Sequence, residues 1–273
     1  MTTPILYDTH MHTPLCKHAR GEPEEYAAAA ERRGLKGIVF TCHNPGPDRD
    51  FSPTVRMAPD EFDDYVALVA RARRAWNGRI DVRLGIECDY TPEMAPYLRD
   101  LLQRAEFHHV LGSVHPQLPY YRKQFDTGDA AAFYQTYFAH LAQAAETGLF
   151  DTLAHPDLVK NVYHREWDVA RVLDDVRASL DRIAATGVAM ELNTSGLNKT
   201  VREMNPNPTM LAEMRARDIP VVVGSDAHEP GRVAADFGRA LDLLEAAGYD
   251  EVSFFLDRRR HTAAIADVRA SLR

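Results

Sequence analysis

Seven histidines, two aspartates and a glutamate stand at or just beyond the ends of short apolar runs: Asp8, His10, His12, His18, His43, Glu87, His115, His155, Asp226 and His228. Imidazoles and carboxylates carried by successive strand ends form the donor set of a multinuclear divalent-metal site. Such ions acidify water and polarise the oxygens of a scissile group, so the chemistry expected is metal-assisted hydrolysis. The triplet His10-Met11-His12 is weak evidence alone, but on a strand residues two apart share a face, so Asp8, His10 and His12 point the same way. Glu87 ends the run Gly85-Ile86-Glu87, and a carboxylate can bridge two cations where a neutral imidazole cannot; Glu87 is the expected bridging and catalytic carboxylate. Gly112-Ser113-Val114-His115, Ala154-His155-Pro156-Asp157 and Gly224-Ser225-Asp226-Ala227-His228 repeat the pattern. Asp8 is expected to orient a ligand imidazole. Asp226 and His228 are the candidates for protonating a leaving alkoxide. Ser113 and Ser225 lie in the same segments, but no G-x-S-x-G elbow, phosphate-cradling P-loop or dinucleotide glycine pattern accompanies them.

The elements that must carry these residues alternate. Short β-type runs at Ile5–Met11, Lys36–Thr41, Asp81–Cys88, Phe107–Val114, Phe150–Ala154, Val188–Leu192 and Pro220–Gly224 are separated by helical patterns such as Glu22–Arg33, Pro59–Trp76, Asp129–Glu146 and Glu166–Thr186. Strand, helix, strand repeated about seven times implies parallel strands with crossover helices. Candidate ligands then lie at strand C-termini, the catalytic end of a barrel; an open doubly wound sheet would gather ligands from two or three strands only. The expected fold is therefore an α/β barrel, with Val252–Leu256 as an eighth or a peripheral strand. The irregular segments His43–Ala58 and His115–Asp126 are expected to overhang the mouth and contact substrate.

At 273 residues and 45% hydrophobic content the chain, residues 1–273, reads as a single domain. A formal net charge of −8 argues against nucleic acid as a partner and leaves a small phosphorylated substrate open. No window has the apolar length of a membrane span, and the N-terminal stretch Met1–Asp8 reads as neither a basic nor an apolar leader, so a cytoplasmic protein is expected. Three widely spaced cysteines, Cys16, Cys42 and Cys88, form no C-x-x-C and fit a reducing compartment. Cys42 precedes His43 on a strand end and is expected to face away from it.

Taken together, Asp8-Thr9-His10-Met11-His12-Thr13, His18, Phe40-Thr41-Cys42-His43-Asn44, Glu87, Gly112–His115, Ala154–Asp157 and Gly224–His228 resemble the polymerase and histidinol phosphatase (PHP) superfamily. Thr147–Phe150, His155–Lys160 and Glu191–Leu197 are similar to its histidinol-phosphate phosphatase branch. The resemblance implies a distorted (β/α)7 barrel whose mouth holds two or three divalent metals: manganese, zinc or iron. By matching position it implies His10, His12, Glu87 and Asp226 around a first metal, Glu87, His115 and His155 around a second, and His18, His43 and His228 around a third. Two positions depart from the family pattern. Cys42 stands where an Asp is usual, and Asn198 stands where the branch carries a phosphate-gripping Arg, so phosphate contacts are expected from Lys199 or Arg202, with Lys160 and Arg165 as further candidates. The activity implied is hydrolysis of L-histidinol phosphate in histidine biosynthesis. The alternatives are a related phosphoesterase for nucleotides or other small phosphate esters, and a metal-stabilised module without turnover.

Overall fold

A computed structural model describes residues 3–273; Met1 and Thr2, the start of the N-terminal stretch considered above, lie outside the described residues. The strands are β1 (Tyr7–Asp8), β2 (Gly37–Phe40), β3 (Asp81–Asp89), β4 (His109–Ser113), β5 (Thr152–Leu153), β6 (Ala189–Asn193), β7 (Val221–Gly224), β8 (Glu251–Leu256) and β9 (Arg259–Ala264). The helices are α1 (Pro23–Arg32), α2 (Phe62–Ala75), α3 (Ala95–Leu101), α4 (Pro119–Phe125), α5 (Ala130–Glu146), α6 (Leu173–Ala184), α7 (Pro208–Arg215), α8 (Phe237–Ala247) and α9 (Ile265–Ser271). β1 to β8 pair in sequence order, all parallel, and β9 returns antiparallel along β8.

Residues 37–40, 109–113, 189–193 and 221–224 are buried throughout, as strands covered on both faces must be. The helices start where the chain supplies caps. Glu22 and Glu25 form a reciprocal capping box on α1, and Asp129 and Asn207 accept backbone N–H groups at the starts of α5 and α7. The Tyr65 hydroxyl of α2 lies 2.8 Å from the carbonyls of Phe40 and Gly85 and accepts the Cys42 N–H, pinning β2 to β3 just below the mouth. Among the described residues no helix is long and apolar enough to cross a membrane.

The strand ladder does not close into a continuous barrel. β1 holds only two paired residues, and beyond them the chain stays extended to a single parallel bridge between Met11 and Ala227. There the Ala227 N–H donates to the His10 carbonyl at 3.1 Å, and the His12 N–H to the Ala227 carbonyl at 2.9 Å. At the opposite end Phe254 of β8 stacks on Tyr7 of β1, ring centroids 5.2 Å apart. The seven-strand ring is thus laced at the C-terminal ends of its strands, while β8 lies against β1 below. His115–Asp126 is not irregular throughout, since it contains α4. It packs on the segment His43–Ala58 through Tyr120 and Phe51, centroids 4.7 Å apart.

Candidate metal centre

The structure brings all nine expected ligands to the C-terminal mouth, around Glu87. His43 forms an isolated parallel bridge with Glu87, which puts the ends of β2 and β3 level. Glu87 Oε2 lies 2.6 Å from His43 Nδ1, 3.5 Å from His10 Nε2 and 3.7 Å from His12 Nε2. Its Oε1 lies 3.0 Å from His155 Nε2 and 3.4 Å from His115 Nε2. Asp226 Oδ1 lies 3.1 Å from His12 Nε2 and 3.7 Å from His10 Nε2. The two oxygens of Glu87 therefore face two different groups of imidazoles, the geometry of a bridging carboxylate. Outward from these, His228 stacks on His12 with centroids 3.9 Å apart, and His18 lies 4.5 Å from His228 and 5.5 Å from His43.

Buried donors here lack hydrogen-bond partners: His10 Nε2, His43 Nδ1, His228 Nε2 and Glu87 Oε2. An unsatisfied buried polar group costs about 1–3 kcal/mol, and natural folds tolerate few. Atoms that approach to 2.6–3.5 Å without hydrogen-bonding geometry are reconciled at once by a cation among them, and the donor types suit a divalent first-row ion. Burial alone would push the Glu87 carboxyl up, but the His43, His10 and His115 imidazoles outweigh it and hold it well below the usual carboxylate range. Burial with His228 nearby lowers His12, and burial with Arg56 nearby lowers His43, so both rings offer lone pairs at neutral pH. His155 and Asp226 sit in the left-handed region, at φ 31° and 49°. Such strain costs of order 1–3 kcal/mol per residue and clusters where side chains must be aimed.

An outer ring of residues aims the donors. Glu191 of β6 is fully buried. It takes the His10 Nδ1 contact at 2.7 Å and accepts the His155 backbone N–H and the Asn193 amide, each at 2.9 Å. Gly224 makes room for it, since a Cβ there would fall 1.9 Å from Glu191 Oε1. Asp89 lies 2.5 Å from His115 Nδ1 and is itself gripped by both Nε and Nη2 of the buried Arg56. Ser113 donates to Glu87 Oε1 at 2.6 Å and Ser195 to Asp226 Oδ2 at 2.8 Å. The roles of Glu191, Asp89, Arg56 and Ser195 were not apparent in the sequence; the signals available were a lone Glu between Met190 and Leu192 in a buried strand and the resemblance carried by Glu191–Leu197.

Several expectations change. Asp8 touches no imidazole; its carboxylate accepts the Ser225 N–H and hydroxyl and the Ala234 N–H, fixing the loop that presents Asp226. Cys42 does not pack away from the site, for its sulfur accepts the Thr13 N–H and hydroxyl and lies near His12. Lys160 is fully buried, its ammonium bonded to Asp157 at 3.1 Å and to the Met204 carbonyl at 2.8 Å, so it braces the fold and cannot meet a phosphate. Arg202 lines a separate cavity with Met204 and Arg239, and Arg165 is exposed on the segment after Lys160, outside the site cavity. Lys199 does reach the centre, 3.4 Å from Asp226 Oδ2. It shares a cavity of about 460 Å³ with His18, His228, Asp226, Arg20 and Arg232.

A family model described as the PHP domain matches residues 8–195. The chain belongs to the PHP domain family. Asp226 and His228 lie beyond the matched span, and the fold returns them to it. Among PHP relatives, a probable histidinol-phosphatase of Deinococcus radiodurans is 37% identical over 255 residues, covering 91% of this chain and 96% of that one. The histidinol-phosphatase of Bacillus subtilis is 28% identical, covering 83% and 94%. The crystal structure of histidinol phosphate phosphatase from Lactococcus lactis, complexed with zinc, L-histidinol and phosphate, superposes with a TM-score of 0.75 at 17% identity, covering 93% and 98%. At that identity the likeness speaks for the fold.

Proposed function

We propose that this PHP protein is a divalent-metal phosphomonoesterase that hydrolyses L-histidinol phosphate to L-histidinol and phosphate in histidine biosynthesis. The observation that carries the reading is the Glu87-centred set of partnerless buried donors, in a chain whose full-length relatives carry the histidinol-phosphatase name. In this reading His10, His12, Glu87 and Asp226 hold one ion, Glu87, His115 and His155 a second, and His18, His43 and His228 an outer one. Ions held there supply Lewis-acid polarisation of a phosphoryl oxygen and make water acidic enough to serve as nucleophile near neutral pH.

The chain's own residues do the rest. Glu191 and Asp89 fix His10 and His115 so that the Nε2 atoms face Glu87. Lys199, with Arg20 and Arg232 further along the wall, supplies the positive charge that receives a phosphate where Asn198 offers none. Burial pushes the Asp226 carboxyl up, but Lys199, His10, His12 and His228 outweigh it and hold it well below the ordinary range. Asp226 is then ionised at neutral pH, which suits a ligand and, with His228 also assigned to the outer ion, leaves water in the cavity to protonate the leaving alkoxide. The substrate is a small phosphate ester and the setting cytoplasmic.

The test is phosphate release from L-histidinol phosphate beside nucleotide, sugar and amino-alcohol phosphates, with protein stripped by chelator and reloaded with manganese or zinc. We expect kcat/KM for L-histidinol phosphate to exceed the panel by orders of magnitude and to vanish in chelator. Equal, low rates across the panel would move the assignment to another phosphate ester, and turnover that survives chelation would overturn the metal reading.

A further inference from the structure

Cys16 closes the short 3-10 turn Pro14–Cys16 and is fully buried two residues before His18. Its sulfur belongs to two groups of prospective donors, one with His18 and His228, the other with His12 and Cys42. Within each group the donor atoms all lie within 4.8 Å of one another. The two sulfur atoms are neighbours in the second group, and Cys42 is occupied by Thr13, whose N–H lies at 3.5 Å, hydroxyl at 3.3 Å and carbonyl at 3.7 Å from its sulfur. Cys42 is thereby held as a hydrogen-bonded support, and Cys16 is the sulfur that faces two histidines at once.

Those histidines are prepared for a cation. His18 Nδ1 lies 2.6 Å from the Cys16 carbonyl and His228 Nδ1 lies 3.1 Å from the Asp226 carbonyl, so in both rings the Nδ1 proton is fixed by backbone and the Nε2 lone pair is free. His228 Nε2 is buried without a hydrogen-bond partner. A carbonyl-fixed pair of imidazoles beside a buried sulfur is an N/S donor set, which favours zinc and other thiophilic ions, whereas manganese prefers oxygen and binds N/S sites weakest in the first-row series.

We propose that the Cys16 sulfur is a donor to the outer cation subsite of His18 and His228, making it a mixed nitrogen–sulfur site that selects zinc over manganese. The inference rests on the metal reading given above but concerns one subsite only. The two subsites around Glu87 carry nitrogen and oxygen donors and accept either ion; the outer one does not.

Cobalt reports this directly, because a thiolate ligand gives a sulfur-to-cobalt charge-transfer absorption in the near ultraviolet. Full-length reduced protein, freed of metal by chelator, is titrated with cobalt and its metal content measured. We expect the band to appear, to be lost in Cys16→Ser together with one ion per chain, and to persist in Cys42→Ser. Manganese-loaded protein should hold one ion fewer than zinc-loaded protein. X-ray absorption of the zinc-loaded parent, which needs no variant, should show a sulfur scatterer at about 2.3 Å. Full cobalt loading without the band, a band lost only in Cys42→Ser, or a zinc spectrum with nitrogen and oxygen alone would overturn the Cys16 assignment while leaving the metal reading in place. A chain that binds no metal would overturn both.

Discussion

Replacing Glu191 with Gln is the smallest change that asks whether a buried carboxylate outside the donor set controls it. Glu191 Oε1 faces His10 Nδ1 at 2.7 Å, and Oε2 faces two N–H donors at 2.9 Å. All three partners donate, so both oxygens must accept, whereas an amide offers one oxygen and one NH2. If the NH2 turns toward His10, that ring must shift its proton to Nε2, the atom 3.5 Å from Glu87 Oε2 and 3.7 Å from Asp226 Oδ1, and its lone pair is lost to a cation. If it turns the other way, the His155 N–H loses its acceptor at a cost of about 1–3 kcal/mol, at a residue held at φ 31°. By either route cation affinity falls about 10- to 100-fold, or about 1.4–2.8 kcal/mol. Chelator-competition titration with zinc and with manganese at fixed pH reads this directly. Gly224→Ala approaches the same carboxylate from the facing wall, where the new Cβ would fall 1.9 Å from Oε1, and should shift affinity in the same direction. A Glu191→Gln variant that binds both ions within about twofold of the parent would refute the reasoning.

Three further outcomes follow from the same geometry. Lys160→Met strands the buried Asp157 carboxylate and should cost about 3–5 kcal/mol, lowering the melting temperature by roughly 10 °C, with turnover of the folded protein unchanged; an unaltered melting temperature with a collapsed kcat/KM would instead return Lys160 to the substrate. Lys199→Met removes a one-third-exposed ammonium from the cavity wall and should lower kcat/KM about 10- to 100-fold with metal content and stability unchanged, and equal kcat/KM would remove it from phosphate binding. Burial raises the Asp89 carboxyl, but Arg56 and His115 outweigh burial and hold it well below its ordinary value, so its stabilisation is complete above the unfolded value of about 4 and is lost as pH falls below it. Metal-free Asp89→Asn should therefore lose less stability than the parent between about pH 5 and about pH 3, and parallel acid-melting curves would contradict the Arg56 and His115 contribution.

The strands that carry donors were legible because each donor terminates an apolar run, and burial on both faces leaves such runs uninterrupted in the sequence. Where that signal failed, a physical competitor is visible. β9 went unread because Arg259-Arg260-His261 is an exposed, charged edge, and edges are charged for the reason that makes them hard to recognise: they must not pair with another sheet. α4 reads as irregular in the sequence because Pro119 and its two following tyrosines look like turn chemistry, although Pro at a first helical position is preorganised for a helix. The expected seven-residue first strand shrank to Tyr7–Asp8 and one bridge, since Met11 gives its carbonyl to Thr41 on one side while bridging Ala227 on the other, which interrupts both ladders.

The site divides along a similar line. A donor needs only its own strand end, so His10, Glu87 and His155 announce themselves locally. An orienting residue is defined by what it meets across the fold: Glu191 reaches His10 from 181 positions away, and Arg56 reaches Asp89 from 33. Nothing in the neighbourhood of Arg56 distinguishes it from the exposed Arg49, and Lys160 looked like a free cation until the fold enclosed it against Asp157. The charge a residue carries is read from the sequence, but whether that charge meets solvent, a ligand or a buried counter-ion is decided by chain crossings. For that reason the identity of the donors in this PHP protein could be argued before the fold was known, whereas the placement of the candidate cations, Lys199 on the wall of the site cavity and Lys160, Arg165 and Arg202 away from it, could be argued only after it.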